Sequence, residues 1–265
     1  MKRGALHIIC GLVYMIYLCS AWGILKNGAW ETIRFVENKE MARESGREMG
    51  GEQKGTMPDA HQEENGGNEG NEENNEGYEE EQKKIALTFD DGPRPGTTPV
   101  LLDGLKERGV KVTFFVIGEY AKQYPKIVKR EDAEGHIVGN HTWSHVEITR
   151  ISEEKARKEI MDTSELVEEI TGKPTAFMRP PFGAWQKELE MELNVMPVLW
   201  NVDPLDWTTE NEDEIVNKVV TDVKENDIIL LHDCYISSVN AALRIIDILQ
   251  KEGYEFVTVD ELLLD

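Results

Sequence analysis

Short runs rich in β-branched and aromatic residues alternate with helical patterns over the C-terminal two thirds of the chain. The helical patterns place apolar residues three and four positions apart, as Leu166, Val167 and Ile170 do. Ser152 before an acidic pair predicts a helix start, and Gly172 predicts its end. The predicted strands are 85–90, 110–116, 136–141, 175–180, 196–202, 227–233 and 255–259, and the predicted helices are 98–108, 153–170, 212–225 and 239–252.

This alternation predicts an α/β fold. About seven strands joined by helices favour a parallel sheet that closes, or nearly closes, into a distorted (β/α) barrel, and an open doubly wound sheet is the alternative. The first strand runs into the sequence FDDGPRPG, which lacks the spacing of either nucleotide-binding fingerprint. A nucleotide-binding loop is therefore not expected.

An apolar stretch over residues 5–25 contains no formal charge and has basic residues on both sides. Its length, at about 1.5 Å per helical residue, spans roughly 30 Å, the thickness of the hydrocarbon core of a bilayer. Residues 1–26 are therefore predicted to form a single-pass membrane anchor with the rest of the chain extracytoplasmic, because the basic pair favours a cytoplasmic N-terminus. The alternative is a secretory signal cleaved near the small residues 19–21, which would give a secreted protein.

Residues 27–84 are predicted to be a flexible acidic linker. Between residues 37 and 84 there are fifteen acidic residues, eight glycines and six asparagines, with almost no aliphatic side chains. Such a segment cannot bury enough apolar surface to offset the entropy lost on ordering. We expect a tether and assign its acidity no binding role.

Residues 85–265 form the predicted globular domain. The chain has a net charge of −22, of which −16 falls on this domain. An acidic surface repels phosphate backbones, so no nucleic-acid partner is expected. The three cysteines, Cys10, Cys19 and Cys234, cannot form a disulfide framework. No protein partner is predicted.

Polar and ionisable residues gather at the C-terminal ends of five predicted strands. In a β/α barrel these ends line one mouth, so that residues distant in sequence become neighbours. This convergence predicts an active site at the mouth. The five clusters are DDG at 90–92, HTWSH at 141–145, RPPFG at 179–183, DPLDW at 203–207 and HD at 232–233.

His141 and His145 have a spacing that suits a shared metal, because a helical turn would place both imidazoles on one side. Thr142 stands where a zinc metalloprotease helix carries its catalytic Glu, which excludes that class. One carboxylate of Asp90 and Asp91 would complete a set of two histidines and one carboxylate. Such a set leaves a coordination position open for water, as catalytic zinc sites do.

The same mouth offers a base, an acid and partners for both. The second carboxylate of the aspartate pair is available as the base, and His232 is available as the acid. Arg179 is expected to pair with a carboxylate, and Asp206 to accept the other ring N–H of His232. Pairing of Arg179 with Asp206 is the alternative. His136, at the start of its strand, is interpreted as structural.

These motifs resemble, in order and spacing, the five motifs of the polysaccharide deacetylases, also called the NodB homology domain or carbohydrate esterase family 4. The resemblance covers residues 84–265 and implies a distorted β/α barrel. It also implies a metal-dependent hydrolase that removes N-acetyl groups from N-acetylglucosamine units of cell-wall glycan, releasing acetate. The resembling runs are TFDDGP at 88–93, HTWSH at 141–145, RPPFG at 179–183, DPLDW at 203–207 and LLH at 230–232.

Other substrates and one other class of function stay open. Muramic acid residues of peptidoglycan, chitin oligosaccharides and acetylxylan are alternative substrates for the same site. A catalytically silent glycan-binding module would need a broken motif, and all five motifs are intact.

The resemblance further implies roles for individual residues. Asp90 would be the general base, held by Arg179, and His232 would be the general acid, tuned by Asp206. One divalent ion would be bound, with Zn²⁺ expected and Co²⁺, Ni²⁺ or another first-row metal as alternatives. The implied metal ligands are Asp91, His141 and His145.

Three further residues would contact the substrate. Trp207 and Leu230 would wall the acetyl pocket, and the backbone N–H of Phe182 would stabilise the oxyanion. Phe182 stands where many relatives have Tyr, so a hydroxyl contact would be lost while the backbone role remains. Cys234, close to His232, is interpreted as structural, because the implied mechanism needs no thiol.

Overall fold

The computed structural model describes residues 83–264, apart from 186–188, 190–192 and 194. The predicted membrane anchor and nearly all of the predicted linker lie outside the described residues. Within the described ranges, no helix has both the length and the apolar character that crossing a membrane requires.

Strands and helices alternate along the described chain, as the hydrophobic pattern predicts. The strands are β1 (Lys83–Gly92), β2 (Thr113–Val116), β3 (Ile137–Asn140), β4 (Phe177–Met178), β5 (Met196–Pro197), β6 (Ile228–His232) and β7 (Tyr254–Val257). The helices are α1 (Thr98–Arg108), α2 (Gly118–Gln123), α3 (Pro125–Ala133), α4 (Glu153–Thr171), α5 (Glu212–Asp222), α6 (Ile236–Lys251) and α7 (Val259–Leu264).

All strand pairs are parallel, in the order β5-β4-β3-β2-β1-β6, with β7 paired to the first half of β1. The stretch that follows β5 joins the two ends of this order. The Val198 N–H donates to the Met178 carbonyl of β4, and the Val202 N–H donates to the Ile228 carbonyl of β6. The sheet therefore curls into a distorted barrel. The predicted barrel is confirmed, and the open doubly wound sheet was the wrong alternative.

Alternation along β1 separates the core from the site. Leu87 and Phe89 are buried in the main apolar core, which includes buried residues of α1 and α6. Successive residues of a strand point to opposite faces, so Thr88 and Asp90 lie on the other face of β1. Both are buried and both accept hydrogen bonds from Arg179. The interior of the barrel is therefore polar beneath the mouth.

Three helices differ from the sequence expectation: α7 begins at the last residue of the predicted strand 255–259, and two others lie between β2 and β3. Residues 118–133 form α2 and α3, which the apolar spacing did not predict. The segment is largely polar, and Tyr124 leaves the helical region between the two helices, just before Pro125 starts α3. Each helix buries only two residues, Gly118 and Ala121 in α2 and Val128 and Glu131 in α3. The strands β4 and β5 are also shorter than predicted.

Candidate active site

Asp90 and Arg179 form a buried ion pair at the bottom of the mouth. Nη1 of Arg179 lies 2.9 Å from Oδ1 of Asp90, and both side chains are almost completely shielded from solvent. The guanidinium also donates to the hydroxyl of Thr88 and to the carbonyls of Val198 and Leu199. Burial lowers the pKa of Arg179, which the charge of Asp90 opposes. Arg179 thus fixes one oxygen of Asp90 and leaves Oδ2 to face the site.

Asp91, His141 and His145 form the one group of three or more metal-ligating side chains that lies close together within the described part of the chain. Oδ1 of Asp91 lies 3.4 Å from Nε2 of His141 and 3.4 Å from Nε2 of His145. A tetrahedral ion with bonds of about 2.1 Å separates its ligand atoms by about 3.4 Å. The spacing and the donor types therefore fit a divalent metal.

Two further observations support this fit. Oδ1 of Asp91 is buried without a hydrogen-bond partner among the described residues, which is costly unless another group satisfies it. Nδ1 of His141 lies 2.7 Å from the Arg179 carbonyl, which only accepts, so Nδ1 is the donor, and in the neutral imidazole Nε2 then carries the lone pair. A partner of this kind fixes the orientation of a metal-binding histidine.

The charge states of the ligands suit metal binding. Burial raises the pKa of Asp91, but the interaction with His141 and the charges of the neighbouring histidines outweigh it, and the pKa falls to about 2. Burial is the main cause that lowers the pKa of His145. An ionised carboxylate and a neutral imidazole are the forms that bind a metal.

The loop that carries the two histidines differs from the expected helical turn. Residues 141–145 are irregular, and Thr142 and His145 have positive φ values of 62° and 55°. The two imidazoles converge through these irregular backbone conformations. Four-residue spacing on a helix plays no part. That expectation was wrong in its geometry, although the two residues do come together.

Polar contacts to α4 hold this loop, and the sequence analysis missed them. The Asn140 side chain accepts from the Thr142 N–H and donates to the Ile160 carbonyl and the Ser164 hydroxyl. Glu159 accepts from the backbone N–H of Ser144 at 2.8 Å and from its hydroxyl at 3.0 Å. A polar Asn in a strand was the available signal, because a buried amide is costly unless it is bonded.

His232 faces the same mouth from the end of β6. Its Cα is the register partner of Asp90 in the parallel pair of β1 and β6. Nδ1 of His232 lies 2.8 Å from Oδ1 of Asp206, whose Oδ2 accepts from the His232 backbone N–H. Burial lowers the pKa of His232, but the hydrogen bond and charge of Asp206 raise it to about 9. Because Arg179 pairs with Asp90 and Asp206 pairs with His232, Arg179 and Asp206 do not form an ion pair. That alternative was therefore wrong.

The three predicted substrate contacts lie in different settings. Phe182 is 67% exposed, has a φ of 61°, and sets its ring 5.0 Å from the His145 ring. Trp207 is 56% exposed in a short 3-10 turn that also holds Asp206. Leu230 is buried in β6, two residues before His232 and therefore on the same face. Their roles as substrate contacts stay predictions.

Two other polar residues were interpreted as structural. Nδ1 of His136 accepts from the Val112 N–H, and burial lowers the pKa of His136 to about 4. Burial raises the pKa of Cys234 to about 12, which leaves little thiolate at neutral pH. Both settings agree with a structural role.

Comparison with known proteins gives the same family for this chain. The model of the family described as polysaccharide deacetylase matches residues 77–198. A peptidoglycan-N-acetylmuramic acid deacetylase, PdaC of Bacillus subtilis (strain 168), is 44% identical over 181 residues, which are 68% of this chain and 39% of that protein. The match thus spans well under half the length of that relative.

A shorter relative is covered almost completely. A peptidoglycan-N-acetylglucosamine deacetylase of Bacillus cereus is 40% identical over 190 residues, which are 69% of this chain and 89% of that protein. The solved structure of peptidoglycan deacetylase PdaC from Bacillus subtilis superposes with a TM-score of 0.67 at 44% identity, covering 68% of this chain and 90% of the solved chain. The sequence motifs, the parallel barrel and these matches together place the chain in the polysaccharide deacetylase family.

Proposed function

We propose that this protein hydrolyses N-acetyl groups of N-acetylglucosamine units in peptidoglycan and releases acetate, using one divalent metal ion. The observation that carries the proposal is the arrangement at the barrel mouth of a metal-binding cluster, the Asp90–Arg179 pair and the His232–Asp206 pair. Amide hydrolysis by water needs a Lewis acid, a base and an acid, and each is present. The names of the relatives support peptidoglycan as the substrate.

Asp91, His141 and His145 would hold the metal ion, which would supply a Lewis acid for the acetyl carbonyl and lower the pKa of water. Zn²⁺ is the expected ion, because two imidazoles and a carboxylate suit it. Asp90 removes the proton from the attacking water through Oδ2, since Arg179 occupies Oδ1. Arg179 keeps Asp90 oriented during this step.

The C–N bond then breaks with proton donation from His232. Its raised pKa keeps His232 protonated at neutral pH, and Asp206 holds Nδ1, so Nε2 is the atom that delivers the proton to the sugar amine. The backbone N–H of Phe182 stabilises the oxyanion, and Trp207 and Leu230 wall the acetyl group. Acetate and a glucosamine unit leave.

N-acetylmuramic acid is the second candidate for the sugar unit, because one relative at 44% identity is named for it. The test is mass analysis of muropeptides from purified peptidoglycan before and after exposure to the purified full chain. Loss of one acetyl mass from glucosamine units is the expected result. Loss from muramic acid units would replace the sugar assignment, and no loss from either would overturn the proposal.

We also propose that residues 5–25 anchor the protein in the cell membrane with the catalytic domain outside. The uncharged apolar stretch and its basic flanks support this. A flexible linker of the predicted length has an r.m.s. reach of about 40 Å, which suits an insoluble polymer next to the membrane. The protein is expected in the membrane fraction after alkaline carbonate washing, and cleavable by protease added to cells without a wall. Full release into the medium would instead show a cleaved signal.

The replacement His145→Ala is expected to lower metal affinity by at least about tenfold, because it removes one of three ligands. Activity should fall in parallel and recover partly at high metal concentration. Competition with a chromogenic chelator measures the affinity. His136→Ala is the matched control, since His136 is buried away from the cluster, and it should leave metal affinity unchanged. Full activity of wild-type protein in excess chelator would contradict the metal site.

The replacement Cys234→Ser is expected to retain at least about half of the wild-type kcat. A thiol with a pKa near 12 is a poor nucleophile, and the proposed reaction forms no covalent intermediate. Thiol-blocking reagents should likewise leave turnover largely intact. A hundredfold loss in folded, metal-loaded protein, about 2.7 kcal/mol of transition-state stabilisation, would reopen the mechanism.

A further inference from the structure

Asp233 is a completely buried carboxylate that the proposed reaction does not use. It follows His232 at the end of β6, and its Oδ2 accepts a hydrogen bond from the Thr98 hydroxyl at the start of α1. The Thr98 oxygen accepts in turn from the Arg94 backbone N–H at 2.8 Å. Asp233 therefore connects the end of β6 to the loop between β1 and α1.

The same carboxylate packs directly against Gly92. A Cβ built on Gly92 would lie 2.5 Å from each oxygen of Asp233, closer than real side chains approach. Gly92 is not among the glycines with positive φ, so its backbone would accept other residues. The missing Cβ is thus required by the contact with Asp233.

The residue before Gly92 needs external support. Asp91 has a φ of 70°, in the left-handed region, which costs about 1 kcal/mol or more for a residue other than glycine. Such a conformation persists only when the surrounding structure fixes it. The contact at Gly92 and the hydrogen bonds through Thr98 lie just C-terminal to Asp91. They are therefore placed to support the backbone conformation of Asp91.

We propose that Asp233 is a positioning residue, which holds the Asp91–Gly92 turn in the conformation that presents the Asp91 carboxylate to His141 and His145. By joining β6 to this loop, it also fixes the distance between Asp91 and His232. The claim that Asp233 holds Asp91 concerns metal affinity and is independent of the substrate. The claim that Asp233 fixes the distance to His232 rests on the proposed function.

The replacement Asp233→Ala is expected to lower metal affinity of the full chain by at least about tenfold, because it removes an interaction that orients a ligand. Asp233→Asn keeps an acceptor for the Thr98 hydroxyl and should stay close to wild type. Zinc affinity is measured by chelator competition, and the unfolding temperature of the metal-free protein is recorded in parallel.

Gly92→Ala provides a second and independent variant. In the wild-type background its Cβ collides with the Asp233 carboxylate and should reduce metal affinity by about tenfold. In the Asp233→Ala background the space is vacated, so the same replacement should cause little further loss. This non-additivity is the signature of a direct contact.

Asp227→Ala is the matched control at the opposite end of β6. Asp227 is also buried, and it accepts a hydrogen bond from a backbone N–H, that of Lys224. This variant should lower the unfolding temperature while metal affinity stays at the wild-type value. Equal loss of metal affinity in Asp227→Ala and Asp233→Ala would show a merely structural role and overturn the proposal.

Two outcomes complete the test. If Asp233→Ala does not fold, Thr98→Val, which removes only the hydroxyl, must lower metal affinity at least about threefold, and wild-type affinity there refutes the proposal. If wild-type protein binds zinc with these dependences but deacetylates no peptidoglycan, the proposed function fails and the role of Asp233 in holding Asp91 stands.

Discussion

Replacing Asp90 by asparagine is expected to lower kcat by about 10²- to 10⁴-fold while the protein still binds its metal. The amide cannot accept the proton of the attacking water, but it has nearly the volume of the carboxylate and can accept from Arg179. Oδ2 of Asp90 lies 3.7 Å from Nε2 of His141, whereas Asp91 makes the closer contact to both histidines. The loss therefore falls on the chemical step.

Asp91→Asn is the comparison variant, because it separates loss of the base from loss of a metal ligand. The two carboxylates are adjacent in sequence, yet only Asp91 lies with both histidines in the metal-binding cluster. Asp91→Asn should lower metal affinity and activity together. Measured kcat is divided by the metal-loaded, folded fraction. This correction is needed because Asp90→Asn removes the charge beside buried Arg179 and is expected to cost up to about 3–5 kcal/mol of stability. Identical metal loss in the two variants would show that the carboxylates do not divide their roles in this way.

The position of these residues was predictable because strand ends meet in a barrel. Asp90 and His232 are far apart in sequence, but both end strands that alternate with helices, and parallel strands end at one rim. The structure makes their Cα atoms register partners. Periodicity alone cannot give such a register, since it requires the side chains of both strands to be packed.

Residue spacing alone could not choose between the two ion pairs, although the family resemblance implied that Arg179 holds Asp90. Arg179 had two candidate carboxylates, Asp90 and Asp206, and nothing in the spacing distinguished them. In the structure, Arg179 rises from the end of β4 into the barrel interior, where Thr88 and Asp90 point, while Asp206 sits in a turn beside His232. The difference arises from which face of each element is directed inward.

The histidine loop shows where local rules fail. Four-residue spacing suggested a helical turn for His141 and His145, but Thr142 and His145 adopt positive φ. Asn140 and Glu159 stabilise this loop by accepting hydrogen bonds from its backbone N–H groups, and Glu159 lies on the separate helix α4. Tertiary contacts of this kind override local preference, so the convergence was predictable while its backbone path was not.

Replacing His232 by alanine is expected to lower kcat by about 10²- to 10⁴-fold with little change in KM, because a proton donor to the leaving amine acts in the transition state. Metal affinity should stay near the wild-type value, since His232 is not part of the metal-binding cluster. The pH dependence of kcat provides the sharper evidence. Deprotonation of His232 ends its action as acid, so activity should fall as the pH rises through its pKa.

Asp206→Asn tests this assignment through the position of that fall. Asp206 raises the pKa of His232 against the effect of burial, and removing its charge must therefore lower that pKa. The alkaline limb of the kcat profile should move to lower pH by about one to three units. The amide has one acceptor oxygen in place of two, so it can hold either Nδ1 or the backbone N–H of His232, and kcat on the acidic side is expected to fall as well. Glu214→Gln, at an exposed carboxylate on α5, is the matched control and should leave the limb in place. If the alkaline limb of the kcat profile is unchanged in both Asp206→Asn and His232→Ala, the general acid is a group other than His232.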